Sequence, residues 1–184
     1  MRWLVTDRSG DTGPVDLPAE LKDRLADLRG DLLWGRLPGR AADAGWLACE
    51  LIEAGLDTPA VWELAGYALS IGPMKEVEPL VRQVLAESGF PSIDLQREPW
   101  AVAQDVVQGI AEGTLPIGKG ADFLIMELSD RWTTPHEIWE LILLIDGWEV
   151  LRGTPPTDDE LREQARKIVD AAPGWPDAKA DQEP

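Results

Sequence analysis

The stretch Trp46–Gly66, WLACELIEAGLDTPAVWELAG, constrains this chain more than any other. It reads as one helix ending, a tight corner and a second helix beginning. Trp46, Leu47, Leu51 and Ala54 recur at intervals that share one helix face. Gly55 supplies a residue free to take positive φ, a common way for a helix to stop. Asp57 or Thr58 can accept from the first unpaired amides of the next helix. Pro59 fits the first turn, where a backbone N–H would have no helical partner. Val61, Leu64, Ala65 and Leu69 carry a second apolar stripe, with Leu56 as the plug of the corner. Stop and start signals this close together force an antiparallel or steeply crossed helix pair. The spacing predicts a structural helical hairpin. DNA reading by a helix-turn-helix fits poorly, because the second helix bears Glu63 and no Lys or Arg and would repel phosphate.

The rest of the chain repeats this grammar. Residues 1–17 lack helical periodicity and read as a short irregular arm, with Arg2–Thr6 a short strand or a packed segment anchored by Trp3 and Leu4. Pro18 opens a helix with Leu21, Leu25, Leu28 and Leu32 on one face. Gly30, Gly35, Pro38 and Gly39 break up the next segment and leave Asp31–Trp34 a short helical turn at best. Gly72-Pro73 is a stop and restart, after which Val77, Leu80, Val81, Val84 and Leu85 give the cleanest amphipathic pattern in the chain. Gly89 and Pro91 end it, and residues 90–97 form a loop. Pro99 and Trp100 begin another helix, with Ala103, Val106, Val107 and Ile110 inward and Gly113 as its stop. Ala121–Leu128 is the next predicted helix. Thr134-Pro135-His136-Glu137 has the form of a capping box, and the IWELILLI run behind it is apolar on nearly every side, as expected of a central helix. A buried strand is the alternative for so short an apolar run; the cap and the length favour helix. Thr157-Asp158-Asp159-Glu160 is a second capping box, opening a last helix through Leu161, Ala165, Ile168, Val169 and Ala172.

The expectation is an all-α fold, a compact multi-helix bundle of seven or eight helices. The arm spans 1–17, a single helical domain spans 18–172, and a flexible polar tail spans 173–184. No repeat of fixed length points to a solenoid. A chain of 184 residues suffices for an ordinary hydrophobic core without staples.

Charge narrows the partners. Thirty-four acids against 17 bases leave a formal charge of −17, which argues against nucleic acid and anionic membrane and permits a basic protein partner. The N-terminus lacks the apolar segment of a signal peptide, and the longest purely apolar run, Leu141–Ile145, is far short of a membrane span. A cytoplasmic location is the simplest expectation. Asparagine is absent and Arg outnumbers Lys, as a GC-rich genome would impose. The nine tryptophans follow no fixed period and read mostly as core filler.

Catalytic and metal signatures fail on specifics. Gly113–Lys119 matches the spacing G-x-x-x-x-G-K, yet Gly120 stands where a Mg²⁺-binding hydroxyl belongs, Pro116 interrupts the loop, and helix rather than strand precedes it. His136 is the only histidine; Glu140 stands where the second histidine of HExxH would be, and a di-iron bundle needs two. Cys49, the sole cysteine, excludes an internal disulfide and lies among apolar neighbours, where a thiol is usually inert. No catalytic, cofactor or metal residue is assigned, and no cofactor is expected.

The run LIEAGLDTPAVWELAG, with the later EPLVRQVLAESG, resembles a set of uncharacterised, mostly helical proteins of GC-rich actinobacteria. The resemblance would cover most of residues 18–170. It implies a helical fold and no particular activity. The leading functional reading is a non-enzymatic acidic helical protein, immunity- or antitoxin-like, that binds a basic protein partner. The alternative is a small-molecule binding protein or enzyme with a pocket between helices lined by carboxylates and tryptophans, the candidates being Trp46, Trp62, Trp100 and Trp139.

Overall fold

The computed structural model describes residues 16–128, 136–145 and 156–171. Among them are eight helices and no strand. They are α1 (Ala19–Leu33), α2 (Ala41–Glu53), α3 (Pro59–Ala65), α4 (Glu78–Glu87), α5 (Pro99–Glu112), α6 (Ile117–Phe123), α7 (His136–Ile145) and α8 (Asp158–Ala171). A 3₁₀ turn, Met74–Val77, leads into α4, and a π turn, Leu124–Leu128, extends α6.

The corner forms as its residues dictate. Gly55 takes a φ of 95°, and the Leu56 amide donates back to Leu51 O at 2.9 Å. Thr58 Oγ1 accepts from the Val61 amide at 3.3 Å and donates to Glu87 Oε2, tying the corner to the end of α4. Leu56 is buried as the plug. Gly45 lets the backbone of Tyr67 and Ala68 lie directly on α2; a Cβ there would collide with it.

Two residues of the expected stripes point elsewhere. α2 packs through Ala41, Ala44, Leu47, Ala48 and Leu51, and Trp46 is 55% exposed. Small side chains bring the neighbouring backbone so close that an indole would not fit on that face. Helix α3 stops at Ala65, so Leu69 lies beyond the stripe and is 87% exposed.

Helix α1 also departs from expectation. It runs through Gly30 to Leu33 instead of breaking there. Gly30 is buried beneath the Lys119 side chain, so the glycine serves close approach between helices, not termination. In α6 the helix starts at Ile117, ahead of the expected Ala121. Helix α7 spans His136–Ile145 but is two-sided: Ile138, Leu141 and Ile142 are buried while Trp139 and Leu143 are exposed. It lies on the side of the core, not at its centre. At α8 the Glu160 amide donates to Thr157 Oγ1 at 3.3 Å and the Thr157 amide to Glu160 Oε2 at 2.8 Å, completing that capping box. The expected arm over residues 1–15, the Thr134–Pro135 cap, the Asp146-Gly147 bend and the tail from 173 lie outside the described residues.

The buried apolar side chains form two clusters. One gathers α1 to α4, from Leu17 to Phe90; the other gathers α5 to α8, with Leu33 reaching into it. Helix α1 is therefore the seam, with Leu21 and Leu25 in the first cluster and Leu33 in the second. Among the described residues no helix is long and apolar enough to cross a membrane.

Candidate functional site

Among the described residues no tryptophan is fully buried in the core. Of the five whose surroundings are described, Trp46, Trp62 and Trp139 are exposed, and Trp34 and Trp100 are half-buried. The interior is made mainly of Leu, Val, Ile and Ala, with Met74, Phe90 and Phe123. Large rings held outward carry more information than single exposed leucines, which are ordinary at a surface.

Two of these rings lie on the two helices that meet at the corner. Trp46 projects from α2 and Trp62 from α3, at 55% and 56% exposure. The Trp62 Nε1–H donates to Asp57 Oδ1, which fixes the indole against its own corner. The chain leaving α3 lies on α2 at Gly45, next to Trp46, and then carries Leu69 and Ile71 out into solvent. Residues 41–74 contain no Lys, Arg or His, while Glu53, Asp57 and Glu63 are all exposed there. Asp43 pairs with Arg40 at the start of its own helix, and Glu50 with Arg24 of α1. The hairpin stretch thus carries exposed aromatic and aliphatic side chains with exposed carboxylates among them.

A second feature is concave. At the C-terminal end of α1 a cleft of about 320 Å³ opens between Leu33, Trp34, Leu95, Val102, Phe123 and Glu127. Trp34 and Phe123 meet edge to face, with centroids 5.6 Å apart and planes at 81°. The Arg36 guanidinium lies over the Trp34 ring, 5.7 Å from its centroid. A neighbouring cleft between Arg29, Arg82, Phe90 and Ile93 holds only about 10 Å³, room for a single water. None of Trp46, Trp62, Trp100 and Trp139 lines either cleft. The tryptophan that does, Trp34, is hidden in the sequence by the glycines flanking it, which suggest a broken segment where a continuous helix runs.

Between the two cores lies a polar joint. Arg29 is the one buried charged side chain among the described residues, at 7% exposure. Its Nε donates to Pro91 O at 2.8 Å, and its Nη1 to Thr114 O at 3.3 Å and to Thr114 Oγ1. Gly109 leaves the space that Nη1 occupies. Burial lowers the pKa of this guanidinium, against the pull of Glu112 and Asp105. Lys119 reaches from α6 to α1, with Nζ 2.8 Å from Asp31 Oδ1, 3.2 Å from Asp27 Oδ1 and 3.0 Å from Asp27 O. Partial burial pulls the Lys119 pKa down, but the hydrogen bonds and charges of Asp31 and Asp27 outweigh it and the net shift is upward. The lysine of the G-x-x-x-x-G-K spacing is thus a structural clamp on a helix, not the end of a phosphate-binding loop.

Cys49 is a half-buried free thiol on α2, and the His136 side chain lies outside the described ones. Among the described residues no group of three or more His, Cys, Asp and Glu is placed to hold a metal. Comparison with protein-family models, with curated proteins and with solved structures finds no match to this chain.

Proposed function

We propose that this chain is a non-enzymatic interaction protein, immunity- or antitoxin-like in character, whose α2–α3 hairpin face captures a basic segment of a partner protein. The observation that carries this reading is the outward placement of Trp46, Trp62, Leu69 and Ile71 on a stretch devoid of basic residues. Exposed tryptophans are the side chains that most often dominate a protein interface. Carboxylates around them would steer a cationic partner and reject acidic ones. The net charge of −17 extends the same preference over long range.

The test is affinity capture on the immobilised protein at low and at moderate salt, comparing wild type with a Trp46→Ala/Trp62→Ala variant. A basic partner should be retained at low salt, weaken as salt rises, and lose on the order of 100-fold or more in affinity in the variant. Retention of the same partner by both proteins would remove the hairpin face from the reading. Capture of nothing at either salt would remove the reading itself.

A further inference from the structure

The cleft beside Trp34 has a chemistry of its own, independent of the hairpin face. Its volume of about 320 Å³ falls in the range of small-molecule pockets, roughly 300–1,000 Å³. Leu33, Val102 and Phe123 make its apolar walls, and Gln96 and Glu127 are its polar groups. Glu127 is the only charged residue in the lining, so the wall itself is anionic. Trp34 already accepts a cation on its face, because the exposed Arg36 guanidinium lies there. The edge-to-face contact with Phe123 holds the Trp34 ring in place, so a ligand need not order it on binding. Glu127 belongs to the π turn after α6, a local geometry that recurs at functional sites.

We propose that this cleft binds a small organic cation with an apolar body. The body packs against Leu33, Val102 and Phe123. The ammonium group packs against the Trp34 ring and is neutralised by the Glu127 carboxylate, while the Gln96 amide offers a further hydrogen bond.

Three probes of similar length and opposite or no charge test this by calorimetric titration of the full chain: phenethylammonium, 2-phenylethanol and 3-phenylpropionate. The ammonium should bind about five-fold or more tighter than the alcohol, and the carboxylate weakest. Glu127→Gln should bring the ammonium to the level of the alcohol and leave the alcohol unchanged. Trp34→Leu should weaken both. Asp23→Asn, exposed on α1 and outside the cleft, should change nothing, which separates the cleft from general attraction to an acidic surface. Equal affinity for all three probes, no binding of the ammonium in the millimolar range, or a preference for it that survives Glu127→Gln would overturn the proposal. Should Trp34→Leu fail to fold, the exposed position Glu127 still decides it.

Discussion

At Arg29 a single side chain spans the gap between two apolar clusters. Its acceptors are carbonyls and a hydroxyl, not a carboxylate, so its charge is solvated by the backbone of the Pro91 and Thr114 turns. Truncation would strand those carbonyls and leave a void. Arg29→Ala should therefore lower unfolding free energy by about 2–4 kcal/mol in denaturant titration. Arg29→Met, which refills the void but not the hydrogen bonds, should fall between wild type and Arg29→Ala. A loss below about 0.5 kcal/mol, the range of an ordinary surface change, would mean that the guanidinium does not hold the turns. Gly45 makes a sharper case. A methyl group there meets the Tyr67–Ala68 backbone, which has no rotamer to yield, so Gly45→Ala should cost about 1–3 kcal/mol. Gly30→Ala meets only the stem of Lys119 and should cost less. Equal effects of the two substitutions would contradict this packing. Neither glycine's role could be read locally, because close approach depends on which distant segment arrives: Lys119 at Gly30, Ala68 at Gly45.

At the scale of elements, the sequence was informative where punctuation is chemical. Thr58-Pro59, the positive φ of Gly55, Gly89 and Gly113, and the Thr157–Glu160 box all mark real ends. Inward positions on α4 and α5 were equally legible, since Val81, Val84, Val106, Val107 and Ile110 are buried as their spacing requires. Orientation around α2 and α7 was less so. Hydrophobicity alone does not say whether alanines or an indole will face a close neighbour, and Ala44 and Ala48 took the inside while Trp46 went out. The candidate site suffered from the same ambiguity, with its acidic border readable and its outward tryptophans not. The α8 cap gives a pH prediction. Hydrogen bonds from the Thr157 backbone and hydroxyl hold Glu160 below its ordinary value of 4.5. A lowered carboxylate pKa means a contribution present above pH 4.5 and lost as pH falls through the folded value. Thermal melts between about pH 5 and pH 3 should thus lose less stability in Glu160→Gln than in wild type. An identical pH dependence in both would show that the cap does not titrate in this way.

For the molecule as a whole, the Lys119 clamp on Asp27 and Asp31 links α6 in the second cluster to α1 in the first. Its raised pKa places its contribution at neutral and mildly alkaline pH, to be lost as pH climbs through the folded value above 10.5. Asp31→Asn should blunt this alkaline loss in melting experiments. An unchanged alkaline profile would mean that the two halves are held by apolar contact and Arg29 alone. The central claim is that the hairpin turns its indoles outward into a negative field. Quenching of tryptophan fluorescence by caesium and by iodide at low ionic strength measures this directly, with a Trp46→Phe/Trp62→Phe variant to isolate the two rings. The expected result is a component lost in the variant that caesium quenches more strongly than iodide. A variant whose caesium quenching matches wild type, or a lost component that iodide reaches more readily, would contradict it.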